Sequence, residues 1–209
     1  MTTMRVPVLI VGGGGAGLTA SMLLARHGIE ALVVSALPTT SILPKAHVLH
    51  QRAMEVFTDV GVADAIYTRS TPAANMSHTA WYLDVAGDQD AGRLLHKMEC
   101  WDGGSTDPAW IAASPCRQAN LPQIRLEPLL RARAEELSPG RVRFGHELLA
   151  LEQDTAGVTA TIRDNAAGAS SSGPSLTLDR KQAPGLCRRL RLPRYVLTFI
   201  DRPWSLTSE

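Results

Sequence analysis

Val6 to Val11 is an apolar run without alternation, the pattern of a strand covered on both faces inside a parallel sheet. Four glycines follow, and from Ala16 to His27 the residues Leu18, Met22 and Ala25 recur at near-helical spacing. Gly28 stands where a helix C-terminus favours a left-handed residue. Ala31 to Val34 is a second apolar run and predicts a second strand. Strand, helix and strand in this order make a βαβ unit, with a right-handed crossover expected. The second strand runs out through Leu32-Val33-Val34-Ser35-Ala36-Leu37-Pro38, at a serine.

Past Pro44-Lys45-Ala46-His47 the pattern predicts a helix from about Gln51 to Val60, closed by Gly61. Periodicity is lost over residues 71–116, which carry Trp81, Trp101 and Trp110. An irregular insertion is expected there, with packing as the plain role of the tryptophans and the lining of an aromatic pocket as the functional one. Periodicity returns with Leu126, Leu129, Leu130, Ala134 and Leu137 on one helical stripe, ended by Ser138-Pro139-Gly140. Arg141 to Phe144, His146 to Gln153 and Val158 to Arg163 read as strands, the last two joined by a turn at Asp154 to Gly157. The segment that follows, "NAAGASSSGPS", is small and polar in the manner of a linker. Six basic residues without an acid then lie between Arg180 and Arg194. The expected division is a domain over 1–165 and a divergent, flexible Arg-rich tail over 166–209.

Composition changes this picture little. The 209 residues are 44% hydrophobic and 20% charged, as in an ordinary globular protein with one sizeable core. A net charge of +1 exerts no strong pull toward nucleic acid or anionic lipid, and the basic "RRLRLPR" reads as a solvated tail. No run approaches the roughly 20 apolar residues of a membrane span, and no signal-peptide pattern is seen. Cys100, Cys116 and Cys187 are far apart and form no CxxC pair, so neither a disulfide framework nor a zinc site is expected. His47 and His50 stand three apart without a third ligand, and no metal site is assigned. A cytoplasmic setting is expected, with neither nucleic acid nor membrane as a partner.

The chemistry is carried by Gly12-Gly13-Gly14-Gly15-Ala16-Gly17, which satisfies G-x-G-x-x-G between a predicted strand and helix. Gly12 permits the tight turn, Gly14 allows the backbone to approach a pyrophosphate, and Gly17 lets the helix pack on the strand. The helix N-terminus, with Gly15 and Ala16, offers free N–H groups and a partial positive charge to phosphates. An acid about 20 residues on ordinarily grips the adenosine ribose. Ser35 falls at that strand end, and a neutral hydrogen bond has about half the strength of a charge-assisted one. Ala36, Leu37 and Pro38 supply no arginine for a 2′-phosphate, so the serine weakens the site without redirecting it.

Four segments carry a resemblance: "VLIVGGGGAGLTASMLLARHGI", "LPKAHVLHQRAMEVFTDVGVADAIY", "SPCRQANLPQIRLEPLLRARAEE" and "RVRFGHELLALEQDTAGVTATIRD". Through them the chain resembles the FAD-dependent aromatic-ring hydroxylases, the class A flavoprotein monooxygenases, and among these the 2,4-dichlorophenol 6-monooxygenase and phenol hydroxylase group. The resemblance implies an α/β fold: a Rossmann-like FAD-binding βαβ domain with a β-meander and a partial substrate-domain insertion. It implies FAD as cofactor, NADPH or NADH as reductant, and a small phenolic substrate. Gly12, Gly14 and Gly17, with Gly15 and Ala16 between them, would hold the FAD pyrophosphate, and Ser35 occupies the position of the ribose-binding acid. Lys45 and Ala46 lie in the segment that passes the flavin, Arg52 matches an arginine close to the cofactor, and Gln123 matches a glutamine on the ribityl chain. His47 matches a polar residue near the substrate hydroxyl and is the candidate catalytic residue. Hydroxylation proceeds better on a phenolate than on a phenol, and an imidazole suits removal of that proton at neutral pH.

The resemblance ends near residue 164. Members are much longer and carry a later Asp-Gly motif, usually within "GADG", and no such motif follows Arg163 here. The expectation is a C-terminally truncated or frame-altered relative, with weak FAD binding and little or no independent hydroxylation. The alternative is a non-catalytic nucleotide-binding or interaction module descended from that family, either homo-oligomeric or completed by a partner.

Overall fold

The computed structural model describes residues 4–76, 78–84, 92–99, 108–153, 157–165 and 175–179. In chain order the first elements are β1 (Met4–Val6), β2 (Val8–Val11), α1 (Gly15–Arg26) and β3 (Ala31–Ser35). Then come β4 (Val48–Leu49), α2 (Gln51–Asp59), α3 (Ala63–Arg69), β5 (His78–Tyr82), β6 (Leu94–Glu99), α4 (Pro108–Ala113) and β7 (Ala119–Asn120). The last are α5 (Gln123–Leu137), β8 (Val142–Phe144), β9 (His146–Gln153), β10 (Gly157–Asp164) and β11 (Ser175–Asp179). They form two compact units, one of residues up to 45 together with those from 123 onward, the other of residues 46–122.

The first unit is layered around a parallel sheet ordered β2-β3-β8. Alternation along its strands divides the core. Leu9, Leu32 and Val34 pack with Val6, Ala160 and Ile162, against the antiparallel β9 and β10. Ile10 faces the other way, toward Gly17 of α1, where Leu18 and Met22 are fully buried and α5 contributes Leu130 and Ala134. Each such side chain contributes about 1.5–3 kcal/mol on burial, so the apolar runs are sufficient cause for the sheet. Helix α1 closes in the predicted way: Gly28 has φ +68°, its N–H bonds Ala25 O, and the N–H of Ile29 bonds Leu24 O, a Schellman termination.

Two features depart from the sequence expectation. The single strand expected over Val6 to Val11 is two, because Pro7 has no N–H for a ladder; β1 pairs with β11, and β2 with β3. The boundary expected at 165 does not end the sheet. Strand β11 pairs in parallel with β1 and antiparallel with β10, so described residues beyond 165 take part in it. The remainder of the expected tail lies outside the described residues. Helix α5 forms as predicted but contains Pro128; proline removes one internal hydrogen bond, and packing of the apolar stripe on α1 overrides that loss.

The second unit holds α2 and α3, and its ends are tied by β4 pairing antiparallel with β7, Val48 opposite Asn120 and Leu49 opposite Ala119. That ladder sets the division at 45/46 and 122/123, wider than the insertion expected over 71–116. The expected irregularity is also partial, for β5 and β6 make an antiparallel hairpin within it. Trp81 on β5 is 46% exposed and Trp110 on α4 is 36% exposed, so each is only partly packed. Trp81 rests against the His96 ring, at 5.5 Å between centroids. Trp101 lies outside the described residues.

Candidate functional site

The glycine turn leaves β2 through Gly12, whose φ of +118° is in the region that favours glycine. Its N–H donates to Val34 O at 2.8 Å, which fastens the turn to β3. A Cβ at Gly17 would lie 2.0 Å from Gly12 O and 3.2 Å from Ile10 Cγ2, so the close helix–strand approach expected of the third glycine is realised. Gly13 admits no side chain either, because a Cβ there would lie 2.7 Å from the Phe144 ring. Gly14 caps α1 in extended conformation without a side-chain cap. The first internal helix bond runs from Leu18 N–H to Gly14 O. The amides of Gly15, Ala16 and Gly17 precede that bond and point out of the helix end, where an anion is favoured.

Beside this turn lies a small open depression lined by Gly13, Gly14, Ser35, Lys45, Glu127 and Phe144, together with Thr39 to Ser41. Ser35, 7% exposed, ends β3 within it. Lys45 adopts φ +39°, the one non-glycine residue with positive φ among the described residues; such a conformation is held by its surroundings. The segment before it is bound to the start of α5. Gln123 N–H donates to Pro44 O at 2.9 Å, and Ser41 N–H donates to Glu127 Oε2 at 2.6 Å. Gln123 Nε2 donates to Glu127 Oε1 at 2.5 Å. Glu127 is 2% exposed. Sequence reasoning passed over it, although its place four residues after Gln123 on a helix was the available signal.

The remaining candidates, Ala46, His47 and Arg52, belong to the second unit. His47 and Asn120 flank the β4–β7 ladder, and His47 Nδ1 lies 3.0 Å from Asn120 Oδ1. An amide oxygen only accepts, so Nδ1–H donates to it, and in a neutral imidazole with that tautomer Nε2 is the acceptor. Arg52, on α2, is largely exposed and bonds Glu55 through Nη1 at 2.5 Å. Ser114 Oγ donates to the other Glu55 oxygen at 2.7 Å. The Ser114 hydroxyl, and after it the Arg52 guanidinium, hold the Glu55 carboxyl below its ordinary range. Asn120 and Ser114 carried no signal in the linear sequence, being 73 and 59 positions from the residues they bond, whereas Glu55 follows Arg52 by three positions on a helix.

The profile of the family described as FAD binding domain matches residues 5–172. The chain is 38% identical over 168 residues to a 2,4-dichlorophenol 6-monooxygenase of Delftia acidovorans, covering 78% of this chain and 27% of that protein. It is 37% identical over 176 residues to the aklavinone 12-hydroxylase DnrF of Streptomyces peucetius, covering 82% and 34%. Among solved structures it is similar to the flavin-dependent monooxygenase PieE in complex with FAD and substrate. The TM-score is 0.73 and identity 38%, over 86% of this chain and 30% of that one.

The chain belongs to the FAD-binding domain family of the FAD-dependent aromatic-ring hydroxylases. It spans about a third or less of the length of the relatives it matches. The glycine cradle fits the family's cofactor: a main-chain turn with no room for a Cβ at Gly13 and Gly17, helix amides at its mouth, and a hydroxyl-lined depression beside it. Among the described residues no group of three or more His, Cys, Asp or Glu is placed to hold a metal ion. No described helix is long and apolar enough to cross a membrane.

Proposed function

We propose that this FAD-binding domain serves an NAD(P)H-dependent hydroxylation of small phenolic substrates, with His47 as the base for the phenolic proton. The observation that carries the reading is the His47–Asn120 pair. With Nδ1–H engaged by Asn120, the neutral ring offers Nε2 as an acceptor on an exposed side chain, as removal of a hydroxyl proton requires. FAD, when bound, supplies the oxygen chemistry. The chain's own residues bind and orient. Gly12, Gly14, Gly15, Ala16 and Gly17 offer main chain to the pyrophosphate, Ser35 meets the adenosine ribose, and Gln123 meets the ribityl hydroxyls. Lys45, Ala46 and Arg52 border the flavin. The names of two relatives, a 2,4-dichlorophenol 6-monooxygenase and a phenol 2-monooxygenase, support an aromatic substrate.

FAD binding by these 209 residues is weak in this reading, because Ser35 gives the ribose a neutral hydrogen bond in place of a charge-assisted one. Independent hydroxylation is correspondingly slight. The test is uptake of added FAD by the purified chain, followed by NAD(P)H oxidation with and without a chlorophenol. FAD uptake with phenol-stimulated oxidation supports the proposal. A chain that takes up no FAD refutes it, and uptake without any stimulation by phenols leaves a nucleotide-binding module without catalysis.

A further inference from the structure

We infer that Glu127 is a positioning residue of the flavin site, acting through Gln123 and the segment at Ser41; this rests on the FAD reading above. The carboxylate lies in the interior of the first unit, 2% exposed, on the wall of the depression that also contains Gly13, Gly14, Ser35 and Lys45. A side chain that only filled space there would be apolar, since a buried carboxylate is costly unless hydrogen bonds satisfy it. Its two oxygens accept from two different site segments: the main-chain N–H of Ser41, on the loop after β3, and the side-chain amide of Gln123, on the first turn of α5.

Polarity is the consequence. A carboxylate can only accept, so the Gln123 amide must turn its Nε2 toward Glu127 and keep its Oε1 as a free acceptor. That orientation suits a ligand's hydroxyl donors, such as a polyol chain, and not its phosphate oxygens. The Ser41 bond acts on the other side, holding the segment that runs on to Lys45, where the left-handed backbone depends on its neighbours. Glu127 thus sets which face of Gln123 the cofactor meets.

Glu127→Gln breaks this device while preserving shape, because an amide there can donate to Gln123 Oε1 and reverse its orientation. The experiment is a double-mutant cycle on the full 209-residue chain, with FAD affinity read from flavin fluorescence for the wild type, Glu127→Gln, Gln123→Ala and the double variant. Glu127→Gln is expected to weaken FAD about tenfold with unchanged circular dichroism, as loss of a charge-assisted hydrogen bond allows. In the Gln123→Ala background the same change should cost less than about threefold, since coupled residues are not additive. Glu127→Asp, which retracts the carboxylate but keeps its charge, should give a smaller loss with the same coupling, and decides the matter if the glutamine variant does not fold. Wild-type affinity in both Glu127 variants, or losses that simply add to that of Gln123→Ala, would overturn the inference while leaving the flavin reading intact. A wild-type chain that takes up no FAD would remove both.

Discussion

The two units of the chain present their candidate residues by different means. In the first, the contacts offered to a ligand are mostly main chain: the Gly12–Gly17 turn, packed so closely that Gly13 and Gly17 exclude a Cβ. In the second they are exposed side chains, His47 and Arg52, each oriented by one polar neighbour, Asn120 or Glu55. A site made of main chain is rigid because the sheet and helix that carry it are rigid. A site made of long exposed side chains is only as well aimed as its hydrogen bonds, each contributing about 1 kcal/mol. Damage to the first unit should therefore act on folding and cofactor together. Damage to His47 in the second should act on chemistry alone.

The largest effect should come from Gly17→Ala, which forces a carbon against a backbone oxygen that cannot move aside. Stability should fall by about 3 kcal/mol or more in urea unfolding, with FAD binding lost. A fully stable Gly17→Ala protein would break the comparison at its first term. His47→Ala should do the reverse: FAD affinity and unfolding midpoint unchanged, and phenol-stimulated NAD(P)H oxidation reduced about 100-fold, the usual weight of a general base. Loss of FAD binding in His47→Ala would show that the second unit is not purely a chemical face. Ser35→Glu should tighten FAD about fivefold, the effect of a charge-assisted bond replacing a neutral one. No change in a fluorescence titration would mean that the end of β3 never meets the ribose.

The smallest effect concerns the second unit's own electrostatics. Ser114→Ala should raise the Glu55 pKa toward its ordinary value, followed by carboxyl carbon NMR, because the Ser114 hydroxyl is the main cause of its lowering. A folded pKa below the unfolded one contributes stability that is present above the ordinary carboxylate range. That contribution is lost as pH falls through the lowered pKa. An unaltered titration in Ser114→Ala would assign the lowering to Arg52 instead.

Legibility followed the same division. The glycine spacing between two apolar runs foretold β2, α1 and β3 and the closeness of Gly17 to Gly12, because every constraint involved lies within about one βαβ unit of sequence. The stripe from Leu126 to Leu137 foretold α5 in spite of Pro128. The strand broken at Pro7 was open to the rule that proline donates no ladder bond, yet its consequence, one segment serving two sheets, depended on β11 lying alongside. The linker composition after Asn165 concealed that strand. The extent to which the tryptophans pack was hidden for a related reason: burial depends on what surrounds a side chain, and nothing in the neighbouring sequence supplied that.

By itself the sequence determined the chemistry of the cradle. No residue but glycine satisfies Gly12 and Gly17, and apolar runs of that length must be covered on both faces, which forces a layered α/β unit. Tertiary structure alone decided which polar groups meet. Glu127 reaches Ser41 across 86 positions and His47 reaches Asn120 across 73, and hydrogen bonds over such separations have no local signature. They are short-ranged and directional, so they exist only once the folded backbone has brought donor and acceptor within about 3 Å.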